Sequence, residues 1–177
     1  MNKSRIIVPI ISFLIFAVFY IFLNYDGFDG FTEYFKSQNF DEIALKYYDD
    51  TEFDHMSMYI NHYESARSTD KEKFNKLLNH FKTLEYKRIS RDKWYSLRGD
   101  IKTIWLFTED SGSLGIKIYN EKYIMINLGY IIEKKYEEKN LTKIYPNNEY
   151  KAYKVVGGKI DMDLIKLIYD SMEIEEY

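Results

Sequence analysis

Asp50, Glu52 and Asp54 occupy alternate positions in DDTEFDH, the spacing at which a calcium-binding loop presents its first three carboxylates. The pattern fails further along. The sixth position is His55, where the sharp bend needs glycine, and the twelfth is Asn61, where a bidentate Glu should close the shell. A solvated turn is the reading that remains. His55 and His62 are an odd number of residues apart, so on one continuous strand they face opposite ways and cannot share a metal. His80 lies on the flank of an apolar helical stripe, an ordinary place for a half-exposed histidine. These residues indicate no metal site and no cofactor.

Nucleophilic chemistry has no clearer signature. The Gly-x-Ser-x-Gly elbow is absent, and neither SGSLG nor GGK continues as the Gly-Lys-Ser/Thr of a phosphate loop. Without cysteine there is no thiolate and no disulfide. Glu137 and Glu138 would do acid–base work only across a cleft from another carboxylate, and EKKYEEK reads more simply as a solvated strand end. Asn140 heads an Asn-Leu-Thr sequon, which the bacterial look of the composition discounts. No catalytic residue is assigned.

The aromatic residues remain, and the chain has 18 Tyr, 12 Phe and 2 Trp. A candidate binding surface comprises Trp94, Tyr95, Tyr119, Tyr123, Tyr130, Tyr150 and Tyr153. Those on the sheet face turned away from the helices would form a platform for a sugar or a protein partner. Trp105, on one strand face with Ile101 and Phe107, is expected in the core. Abundance alone is weak support. Lys, Asn, Ile, Tyr and Phe are all common and Ala17, Ala44, Ala66 and Ala152 are the only alanines, as an AT-rich genome would produce.

The elements that must position these residues follow from periodicity. From Ile6 to Leu23 no residue is charged, which as helix would span about 27 Å, near the roughly 30 Å of a bilayer core. Bulky residues run to its end, where a cleaved signal would have small ones, so a retained anchor is expected. Lys3 and Arg5 precede it and Asp26 and Asp29 follow it, which puts the N-terminus inside the cell. The chain thus divides into a cytoplasmic N-terminus (1–5), a transmembrane signal anchor (6–23), a juxtamembrane linker (24–40) and an extracytoplasmic domain (41–177). Setting aside Lys3 and Arg5, the net charge of −3 becomes −5, which argues against nucleic acid as a partner.

Beyond the linker, EIALKYYD and HMSMYIN alternate as a first hairpin, LGIKIY and KYIMINL as a second, and GYIIEKKYEEKN and EYKAYKVV as a third around the turn YPNNE. Phe74, Leu77, Leu78 and Phe81 recur at helical spacing, with Thr69 and Glu72 in capping-box form. A closing helix carries Leu164, Ile165, Ile168 and Met172 on one side, with Asp161 as N-cap, and EIEEY reads as a frayed tail. The predicted fold class is α+β: an N-terminal transmembrane helix, then a mostly antiparallel sheet of hairpins with two helices packed on one face.

The N-terminal anchor, MSMYINHYESARSTDKEKFNKLLNHF, IKTIWLFTEDSGSLGIKIYNEKYIMIN and YKVVGGKIDMDLIKLIYDSM together resemble small membrane-anchored or lipoprotein-like proteins of unknown function from Gram-positive bacteria. The chain departs from the lipoproteins in lacking a lipid-bearing Cys, and the resemblance brings no site residues. The expected function is binding at the cell envelope, in an accessory or immunity-type role, with a protein or a cell-wall glycan as partner. The alternatives are a carboxylate-dependent cell-wall hydrolase and a structural subunit of a membrane complex. The expected location is the cell membrane, with a single span.

Overall fold

The computed structural model describes residues 4–25, 32–48, 52–60, 64–109, 112–129, 134–136, 141–143 and 149–176. Two compact units divide the chain, Met1–Lys36 and Ser37–Tyr177.

In the first unit the apolar run folds as helix α1 (Ser4–Tyr25), with Pro9 inside it. Among the described residues, however, no helix is long and apolar enough to cross a membrane, which overturns the transmembrane helix expected over residues 6–23. With no such helix among the described residues, the flanking charges no longer assign the rest of the chain to one side of a membrane.

The second unit begins with α2 (Phe40–Ile43). Asn39 caps it reciprocally: its side chain accepts from the Glu42 N–H at 2.9 Å, and the Glu42 carboxylate accepts from the Asn39 N–H at 3.1 Å. A 3₁₀ turn (Leu45–Tyr47) follows, so residues 42–47 are helix and turn where a strand was predicted. Docking decides this, since Phe40 and Ile43 are buried in the main core.

Strands β1 (Phe53–Tyr59) and β2 (Glu64–Ser68) then lead into α3 (Lys71–Lys82) and β3 (Glu85–Ile89). The cap of α3 is Asp70, not Thr69; the Asp70 carboxylate accepts from the Glu72 N–H. A short helix α4 (Arg91–Tyr95) precedes β4 (Lys102–Thr108), β5 (Ser113–Asn120) and β6 (Tyr123–Leu128). A separate ribbon of β7 (Lys134–Tyr136) and β8 (Leu141–Lys143) comes next. Last are β9 (Glu149–Gly157), α5 (Met162–Asp170) and β10 (Glu173–Glu176).

Eight strands form one antiparallel sheet in the order β10-β2-β1-β4-β5-β6-β9-β3, an α+β architecture. Three corrections to the expected hairpins follow. β9 pairs with β6 and β3 and not with the segment before YPNNE, β1 pairs with β2 and β4, and Glu173–Glu176, predicted as a frayed tail, form edge strand β10 on β2.

Alternation gives the sheet one covered face. Ile104 and Leu106, Leu114, Ile116 and Ile118, and Ile124, Ile126 and Leu128 share one core with Phe74, Leu77 and Phe81 of α3 and Ile165 and Ile168 of α5. Helices α2, α3 and α5 thus lie on this face, three where two were predicted. Helix α4 packs on the other face, where Trp94 meets Met125 and Ala152 in a separate cluster.

Candidate binding face

Residues on the second face are those out of phase with the core. Register places Ser57 opposite Trp105, Trp105 opposite Gly115, Gly115 opposite Asn127, and Asn127 opposite Tyr150, one rung across five strands. Gly115 has no side chain, and Trp105 takes the vacant place. A Cβ on that glycine would come within 2.7 Å of the six-membered ring of the indole.

The rings continue along β4, where the Trp105 and Phe107 centroids are 6.3 Å apart and inclined at 26°. His55 stacks on Phe107 at 4.5 Å and 10°. Its presence on this face depends on the irregularity at Asp54. Phe53 pairs with Thr108 and His55 with Phe107, so Phe53 and Met56 both enter the core while His55 turns outward. The His55 Nδ1 and an Asp54 carboxylate oxygen are 2.9 Å apart, which orients the ring.

On the β6 and β9 side the rings surround α4. Ser90 caps this helix, its hydroxyl accepting from the Lys93 N–H, and Trp94 is driven onto Met125 and Ala152. Tyr119 and Tyr123 meet edge to face at 6.5 Å, and the Tyr119 hydroxyl accepts from the Arg98 N–H at 3.0 Å.

The predicted aromatic surface therefore separates into parts. Tyr119, Tyr123 and Tyr150 are half-buried on the open face around Trp94. Trp94 is buried beneath them, Tyr153 is buried in the main core, and Tyr95 is exposed on α4. Tyr130 lies outside the described residues, as do Asp50, Asn61, His62, Glu137, Glu138 and Asn140. Trp105, expected in the core, is half-buried on the open face. The sequence reading missed it because both alternating sets on β4 are apolar, Ile104 with Leu106 and Trp105 with Phe107, so periodicity could not say which set faces the helices. Gly115 was the available signal, since a strand glycine marks a close approach.

Two clefts are lined in part by β1 and α3. One, of about 670 Å³, is lined by Asp54, His55, Arg67, Asp70, Lys73 and Glu173 among others. The other, of about 470 Å³, has an apolar floor of Leu45, Tyr48, Phe53, Phe74 and Leu78. Its rim carries two ion pairs, Glu52 with Lys71 and Asp41 with Lys82. The Lys71 ammonium, bonded to the Glu52 carboxylate, lowers that carboxyl's pKa. His80 bridges two helices, its Nε2 accepting from the Asp161 N–H at 2.9 Å; burial lowers its pKa. Among the described residues no group of three His, Cys, Asp or Glu side chains could hold a metal.

A scan of protein-family models and searches of curated proteins and of solved structures return no match to the chain.

Proposed function

We propose that this chain is a binding protein whose open sheet face, centred on Trp105, engages its ligand at the cell envelope in an accessory or immunity-type role. The observation that carries this reading is the rung through Trp105, Gly115 and Asn127, flanked by Phe107 and His55: flat rings and polar groups on rigid strands, where position is held best. Two of the carboxylates at the larger cleft, Asp54 and Asp70, already have structural partners, which favours binding over carboxylate hydrolysis. Asp70 caps α3 and Asp54 orients His55.

Attachment to a membrane rests on α1. Phe13, Leu14, Phe16 and Phe19 are each more than half exposed, and an apolar patch of this kind marks a contact with a membrane surface or a protein.

Photo-crosslinking in intact cells tests the binding reading. A benzophenone amino acid in place of Thr103, beside Trp105, is expected to give adducts that Trp105→Ala abolishes. The same probe in place of Lys76, on the solvent side of α3, is expected to give none. Equal yields from the two positions would remove the open face as the site.

A further inference from the structure

Lys117 stands on β5 and Tyr150 on β9, with β6 between them, yet the Lys117 ammonium lies 5.8 Å from the centre of the Tyr150 ring. The contact therefore arches over the open face of β6, where Met125 sits opposite Lys117 and Asn127 opposite Tyr150. Beneath it Asn127 is 2% exposed, and its side-chain amide oxygen has no hydrogen-bond partner among the described residues. On its other side is Gly115, with the Trp105 ring in the room above.

A buried amide oxygen without a donor carries its full desolvation cost, and native structures rarely keep one without a use. The cover over this one is light. A lysine held only by an aromatic face near the surface is loosely tethered and swings aside at small cost.

We propose that Asn127 is the floor of a saccharide subsite, that Lys117 and Tyr150 are its latch, and that the ligand is a pyranose carrying an acetamido group. The assignment rests on the open face being the binding surface and names what that surface takes. Asn127 Oδ1 is an acceptor only, so it selects a donor; a hydroxyl placed there would bury its own two acceptor lone pairs beside apolar Trp105 and Met125, whereas an acetamido N–H brings a donor alone. The apolar C–H face of the pyranose packs on the Trp105 ring, as sugars do on aromatic side chains. Lys117, once displaced from Tyr150, donates to a ring hydroxyl. A peptide would find its backbone partners at the sheet edges, not above central strands whose ladder bonds are already made.

The test is calorimetric titration of the full chain, held in a detergent without a sugar headgroup, with chitotetraose and with cellotetraose, which lacks the acetamido groups. Chitotetraose is expected to bind at least tenfold more tightly than cellotetraose. Asn127→Leu, which keeps the branched outline of the side chain but lacks the acceptor, is expected to weaken chitotetraose binding at least tenfold in a chain that still unfolds cooperatively. Equal affinity for the two sugars, or unchanged binding by Asn127→Leu, would overturn the assignment. If neither sugar binds while Thr103 still crosslinks in cells, the saccharide assignment falls and the binding face stands. If crosslinking also fails, both fall.

Discussion

At the scale of single residues, Gly115 and Asn127 have opposite relations to stability. Gly115 is required by Trp105, because any Cβ there meets the indole at 2.7 Å and the ring cannot stay. Gly115→Ala is expected to cost about 1–3 kcal/mol through overpacking and to shift indole emission. The check is urea denaturation with fluorescence in a Trp94→Phe background, where Trp105 is the only reporter. Asn127 is retained at a cost. Replacing it by leucine removes a buried amide oxygen that has no partner among the described residues, and is expected to raise stability by about 1 kcal/mol, read as a higher urea midpoint. A variant that gains stability as it loses ligand would separate a binding role from a packing role.

At the scale of elements, helix ends are held by side chains whose loss has a defined effect. Asp161 accepts from the Leu164 N–H at 2.9 Å, so Asp161→Ala is expected to lower stability by about 1 kcal/mol in thermal unfolding. The backbone N–H of the same residue is bonded to His80 of α3, which ties α5 to α3 only while Nε2 is unprotonated. Burial lowers the His80 pKa below its ordinary value of 6.5, against a smaller opposing pull from the Asp161 carboxylate. The unfolded chain therefore takes up this proton first as pH falls. The contribution of His80 is whole above 6.5 and declines as pH drops from there through the lower folded pKa. Urea midpoints compared at about pH 7.5 and about pH 5 should show that decline, with a smaller pH effect in His80→Gln, whose amide oxygen keeps an acceptor and does not titrate.

At the scale of the whole molecule, the division at Lys36 and Ser37 separates a mostly apolar helix from a domain with its own core. Residues 37–177 alone are expected to unfold cooperatively and to remain in the aqueous phase when mixed with lipid vesicles, while the full chain floats with them. Co-flotation of the shortened chain would show that the domain, and not α1, carries any membrane affinity. Local sequence alone determined the elements whose period is unambiguous: α3 from Phe74, Leu77, Leu78 and Phe81, α5 with Asp161 at its start, and the β5–β6 hairpin. These depend on neighbours a few residues away. What the tertiary structure decided depends on partners far along the chain. Residues 42–47 became helix and turn because Phe40 and Ile43 could be buried in the core with α3 and Tyr86, and Glu173–Glu176 became a strand because β2 offered an unpaired edge. Trp105 faces outward because the helices cover Ile104 and Leu106, and because Gly115, on the neighbouring strand, leaves its ring somewhere to lie.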